Sequence, residues 1–160
     1  MAQSAFQDLL GAHNHCYGCG AINEHGLQIK SYWDGLDAVC NWQPQPYHCA
    51  GATQVVNGGI IASLIDCHSI NLAMADAYRR TNRPIASQPY LWYVTANLNV
   101  TYLHPTPINH LLHLHAKVVK IEGRKTWVHC TLAAGGQTTA TGEVLGIALQ
   151  TDTAVPPPSS

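Results

Sequence analysis

Apolar residues recur over residues 58–79 at helical spacing, with Ile61, Leu64, Ile65, His68 and Leu72 on one stripe at about 100° per residue. Asn57 is a favoured N-cap, no proline follows until Pro84, and Arg79-Arg80 places cations where they complement the helix dipole. On either side the pattern shortens to strands. Residues 27–33 and 36–42 carry β-branched and aromatic side chains around Asp34-Gly35 and read as a hairpin, which Pro44 and Pro46 end. Residues 91–103 form a strand that stops at His104-Pro105. Residues 111–121 alternate, with Leu112, Leu114, Ala116 and Val118 on one side and His113, His115 and Lys117 on the other. Glu122-Gly123 turns the chain into residues 125–133, and Gly135-Gly136 turns it into 138–149. A hairpin, a long helix and then a four-strand meander predict an α+β fold with an antiparallel sheet, not a doubly wound one.

Composition narrows the partners. With 46% hydrophobic and 11% charged residues in 160, the chain has enough apolar material for one core, and so little charge that self-association is expected to hide apolar surface. A net charge of −1 argues against nucleic acid, which calls for a basic stripe. No apolar run reaches the roughly 18 residues of a membrane span, and Met1-Ala2-Gln3-Ser4-Ala5-Phe6 lacks the basic start of a signal peptide. A cytoplasmic location is therefore expected, without a membrane partner. Residues 1–23 read as an amino-terminal loop segment with a Cys-x-x-Cys, 24–150 as the main domain, and 151–160, rich in Thr, Pro and Ser, as a disordered tail.

The helix holds the most informative chemistry. Asp66 lies off the apolar stripe among Ala62, Ser63, Ser69 and Ile70, mostly small residues. That is the arrangement of a pocket wall, with Ser63 facing the substrate; a solvated carboxylate is the alternative. Gly58 and Gly59 open the helix, where N–H groups and the dipole suit an oxyanion. Asp66 and Gly59 are seven residues apart, about 10 Å along the axis, so one substrate carbonyl cannot reach both. If both act on one substrate, they come from different subunits. His13, His15, Cys16 and Cys19 could supply four zinc ligands, but with only one Cys-x-x-Cys the segment reads as a turn packed over the pocket or a partner subunit. No metal or cofactor is expected. Cys67 and His68 point about 100° apart on the helix, so they do not form a Cys–His pair, and His68 reads as a core histidine. His113, His115 and His129 are expected on an exposed or subunit-facing sheet surface.

These residues carry a resemblance. Residues 58–66, Gly-Gly-Ile-Ile-Ala-Ser-Leu-Ile-Asp, look like the H-G-G-x(4)-L-x-D segment of phenylacetyl-CoA-type hotdog thioesterases, akin to the 4-hydroxybenzoyl-CoA thioesterases. Residues 98–105 resemble their L-x-V-x-Y-L-x-P strand, and Thr141-Gly142-Glu143-Val144 is similar to their last strands. Cys16-Tyr17-Gly18-Cys19-Gly20, with Asn23 and Gly26-Leu27, resembles the C-x-x-C-G…N-x-x-G-L of one branch. The resemblance implies a hotdog domain, a homodimer or homotetramer, and hydrolysis of an acyl-CoA to the acid and CoA. It implies Asp66 as general base or nucleophile, the N–H of Gly58 or Gly59 as oxyanion donor, and Thr95 as an aid to orienting water. Asn57 stands where the family has His; it can donate a hydrogen bond to the thioester oxygen but cannot shuttle a proton. Gly51 stands where some members have a polar residue, and Gln54 is the candidate replacement. Arg79, Arg80, Lys120, Arg124 and Lys125 are candidates for CoA phosphates, the last two foremost. The alternative is a non-catalytic hotdog module that binds acyl-CoA or another small ligand.

Overall fold

The computed structural model describes residues 2–11 and 14–149. A short helix α1 (Phe6–Leu10) is followed by β1 (Tyr32–Asp34), β2 (Asp37–Trp42), the long helix α2 (Gly58–Arg80), β3 (Tyr93–Tyr102), β4 (Leu112–Glu122), β5 (Lys125–Ala134) and β6 (Gln137–Ala148). The strands form one antiparallel sheet in the order β1-β2-β4-β5-β6-β3, wrapped around α2. This is the expected hotdog architecture. The proposed tail, 151–160, lies outside the described residues.

Two expectations change. The last four strands are not a simple meander: β3 pairs with β6, while β4 pairs with β2 and β5. The link between β3 and β4 therefore crosses to the other side of the sheet and leaves β3 as an edge. Alternation fixes which face a residue takes, not which strand lies beside it. The first hairpin is also shorter than expected, because only Tyr32–Asp34 pairs with β2. Leu27 and Ile29 instead donate backbone hydrogen bonds to Tyr17 and Gly18, which fastens the amino-terminal turn to this segment.

The stripe Ile61, Leu64, Ile65, His68 and Leu72 is buried, as its spacing predicts. Burial then exceeds the stripe, since every residue from Asn71 to Tyr78 is buried. α2 has the length and apolar composition of a membrane span, yet its side chains are used against the sheet on one side and the amino-terminal segment on the other. Each fully buried Leu or Ile contributes about 1.5–3 kcal/mol relative to exposure. Asp76, buried in this stretch, is paired by Arg79 and by Arg80 at 2.8 Å. His68 is held neutral, its pKa lowered to about 4 by burial. Its Nε2 lies 3.1 Å from the Ala38 carbonyl, which can only accept, so Nδ1 accepts from Ser31 Oγ at 2.8 Å. Ser31 in turn bonds Gln7, so one buried polar chain ties α1 to α2.

The helix sits this close because β6 lacks side chains where it crosses. A Cβ on Gly142 would lie 2.4 Å from Ile65 Cγ2, and one on Gly146 would lie 3.0 Å from Ile70 Cδ1. Gly142→Ala should lower the unfolding free energy by about 1–3 kcal/mol through overpacking. Gly51→Ala, where a Cβ meets open space, should change it by less than about 0.5 kcal/mol. Urea denaturation of both variants checks the pair.

Candidate active site

Asp66 is half-buried on α2 and accepts a 2.6 Å hydrogen bond from the Thr95 hydroxyl. Thr95 reaches it through a bulge. Leu98 and Val100 pair with Val144 and Gly142 on the inner face, so unbroken alternation would put Ala96 inward and Thr95 outward. The register shift between Thr95 and Asn97 instead sets Thr95 opposite Gly146 and turns its hydroxyl to the helix. Burial pushes the Asp66 carboxyl above the usual carboxylate range; the Thr95 hydrogen bond offsets this in part, and a negative Cys16 adds to the rise. A carboxylate that is partly dehydrated and oriented by one donor is suited to taking a proton or attacking a carbonyl.

The helix start is built by its cap. Asn57 Oδ1 accepts from the N–H of Gly59 at 2.8 Å and of Ile60 at 3.2 Å. Gly59, named with Gly58 as a donor, therefore has its N–H committed to the cap. Gly58 N–H has no acceptor among the described residues. The Tyr102 hydroxyl donates to the Gly58 carbonyl at 2.6 Å and fixes that residue's orientation. In the sequence Tyr102 stands out only as part of a strand pattern. Eight residues separate Gly58 from Asp66, about 12 Å of helix, so one chain does not bring them together.

The other candidates divide by position. Ser63 Oγ donates to the Gly59 carbonyl at 2.9 Å, so its hydroxyl is engaged with the helix backbone. Gln54 is exposed in the loop before α2, with its carbonyl accepting from Ile108 N–H at 3.0 Å. Arg124 and Lys125 are exposed at the β4–β5 turn. Lys125 pairs with Ile147, and Ile147 pairs with Val94, so these cations share the Thr95 end of the sheet about two strand spacings away, roughly 10 Å. Lys120 is occupied by Glu122 and by the Trp127 ring. Arg79 and Arg80 lie more than three turns of α2 beyond Asp66 and are paired with Asp76. A cavity lined by Trp33, Ala75, Arg79, Asn82, Arg83 and Ile85 lies at that far end of α2, away from Asp66. His113, His115 and His129 lie on the outer face of the sheet, bonded to Asn41, Asp37 and Glu143.

A thiol cluster that the sequence pattern does not mark lies beside Asp66. Cys67 points to the amino-terminal turn, and the sulfurs of Cys16, Cys19 and Cys67 lie within 4.8 Å of one another. His15 is not among them, and His13 lies outside the described residues. Hydrogen bonds shared with Cys19 and Cys67 hold the Cys16 thiol well below the usual range, while the same sharing pushes Cys67 up. No spacing rule joins Cys67 to a Cys-x-x-Cys some 50 residues earlier.

A family model for the thioesterase superfamily matches residues 53–141, more than half the chain and the whole span from the helix start through Asp66 to Thr95. The chain belongs to the thioesterase superfamily. Acyl-coenzyme A thioesterase THEM4 of Mus musculus is 30% identical over 105 residues, covering 66% of this chain and 40% of its own length. THEM4 of Xenopus laevis is 34% identical over 96 residues, 59% of this chain and 36% of its own. The chain thus spans about two fifths of the length of the curated relatives it matches. A thioesterase superfamily protein from Shewanella loihica PV-4 superposes with a TM-score of 0.62 at 33% identity, over 87% of this chain and 97% of that one. The protein smu.793 from Streptococcus mutans UA159, solved bound to acetyl CoA, shares the fold with a TM-score of 0.62 at 13% identity, over 76% and 88% of the two chains. In this superfamily member the cysteines of the amino-terminal turn fall outside the matched span, while Cys67 falls inside it.

The role of Asn57 can be separated from any contact with substrate. Asn57→Ala removes the cap and should cost about 0.5–2 kcal/mol, whereas Asn57→Asp should retain most of the stability. Thermal unfolding of the three proteins measures this without substrate.

Proposed function

We propose that this chain hydrolyses an acyl-CoA thioester to the free acid and CoA, with Asp66 as general base or attacking nucleophile. The observation that carries the reading is the half-buried Asp66 carboxyl oriented by Thr95 at 2.6 Å. A thioester is already electrophilic, so one carboxylate, one oxyanion donor and a positioned water suffice, without metal or cofactor. The donor is Gly58 N–H, with the Asn57 side-chain amide available beside it. Because Gly58 and Asp66 lie about 12 Å apart on one helix, the two belong to different subunits of a homodimer or homotetramer. β3 supports this: it is a sheet edge whose unpaired backbone groups would be satisfied if pairing with its copy continued the sheet. Arg124 and Lys125 are the candidate cations for the CoA phosphates. The names of the THEM4 relatives and the acetyl CoA bound to smu.793 agree with this substrate class.

The test is release of free CoA from a panel of short, aromatic and long acyl-CoAs, quantified chromatographically because the protein's own thiols react with thiol reagents. The wild type should turn over one class in preference to the others. Asp66→Asn should lose at least about 100-fold in kcat with fold and oligomer retained. Thr95→Val should lose about 10-fold or more. No turnover of any acyl-CoA by a folded oligomer would overturn hydrolysis and leave a binding module.

A complementation experiment checks the shared site. Gly58→Pro removes the N–H at the first helical position, where proline is tolerated, and Asn57 before it is already extended with ψ 135°. Asp66→Asn and Gly58→Pro chains should each be inactive alone. When they are unfolded together and refolded, half the dimers are mixed and each has one intact site, so about a quarter of wild-type activity should return. No recovery would place Gly58 and Asp66 in separate functions.

A further inference from the structure

We infer that Cys16, Cys19 and Cys67 form a three-thiolate site for a borderline-soft divalent cation of the zinc class. The inference is independent of the proposed hydrolysis. It rests on how the turn is shaped to meet the helix. A Cβ on Gly18 would lie 2.3 Å from Cys67 Sγ, so only glycine lets the turn lie this close to α2. Gly20 packs on the Cys16 backbone, where a Cβ would come within 2.6 Å of the Cys16 nitrogen and oxygen, and Gly20 N–H donates to the Cys16 carbonyl at 2.8 Å. From the other side, Leu27 N–H and Ile29 N–H hold the Tyr17 and Gly18 carbonyls at 2.7 and 3.2 Å. The turn is thus fixed by backbone on both sides, with its two sulfurs delivered to Cys67.

The one close sulfur pair has a separation that suits a shared cation. Cys16 Sγ and Cys67 Sγ are 3.6 Å apart. Metal–thiolate bonds of about 2.3 Å in a tetrahedron separate two sulfurs by about 3.8 Å. Thiolate sulfurs select zinc over the oxygen-seeking magnesium and calcium. Asn14 adds a supporting contact, its side-chain amide donating to Cys19 Sγ at 3.4 Å. Three ligands come from the described residues, which leaves the fourth position of a tetrahedral ion to a ligand outside them, water included. Such an ion would staple the amino-terminal segment to α2 at the residue next to Asp66.

The full chain, purified under reductant without chelator, should contain about one zinc per chain by elemental mass spectrometry. After chelator treatment it should bind Co²⁺ with a thiolate-to-cobalt charge-transfer band and the visible bands of tetrahedral cobalt. Cys16→Ser, at the surface, and Cys67→Ser should each weaken Co²⁺ binding by more than the roughly 10–100-fold that loss of a supporting group costs. Cys49→Ser, a cysteine outside the cluster, should bind as the wild type does. Circular dichroism of Cys16→Ser establishes that the variant is folded. Reduced, folded wild type that takes up neither ion, Co²⁺ binding without the thiolate band, or binding unchanged in Cys16→Ser and Cys67→Ser would each overturn the site.

Discussion

α2 has no solvent face over Asn71 to Tyr78, and the rest of the molecule is arranged to supply its surroundings. A lone helix of this composition would expose apolar surface on every side. Here the sheet curls around it, and β6 crosses without side chains at Gly142 and Gly146 so that Ile65 and Ile70 can approach. The side away from the sheet is closed by the amino-terminal segment, locked through Gln7, Ser31 and His68. The ionisable groups of this enclosure are paired, as the low dielectric requires: His68 is neutral between two hydrogen-bond partners, and Asp76 is held by two arginines, whereas the buried Ser69 hydroxyl has no partner among the described residues.

Enclosure also decides where chemistry can occur. Asp66 lies nearer the start of α2, before the fully buried stretch, where it keeps some access to solvent yet is dehydrated enough for its pKa to rise. A straight helix then imposes its own geometry. The carboxylate and the amide at the helix start face different regions of space, and no side-chain rotation removes the separation of about 12 Å. The proposed sharing of the site between two chains follows from that separation, and β3 is one of the two open edges of the sheet.

The cap and the thiol cluster show the same economy of backbone groups. Asn57 uses its oxygen to satisfy the second and third amides of the helix, which leaves the first, on Gly58, without an acceptor among the described residues. On the neighbouring face, glycines at 18 and 20 bring the amino-terminal turn onto Cys67. Both ends of the proposed chemistry are thus set by glycines, which allow one segment to lie directly on another.

Much of this was legible in the chain itself. Local pattern determined the elements: the period and cap of α2, the alternation of β4 to β6, and the turns at Gly35, Gly123 and Gly135, each with positive φ. The distance along one helix between its first residues and Asp66 could also be counted from the chain alone. Other features depend on contacts between segments far apart in sequence, to which periodicity is blind. The pairing of β3 with β6 was one of these, and the bulge at Ala96, which turns Thr95 inward against the strand's own alternation, was another. The commitment of Gly59 N–H to Asn57 needed coordinates of the cap. The meeting of Cys67 with Cys16 and Cys19 was settled only when the turn folded onto the helix. Sequence determined which residues could form each element and face; tertiary packing decided which of those faces meet, because that depends on distances no local period encodes.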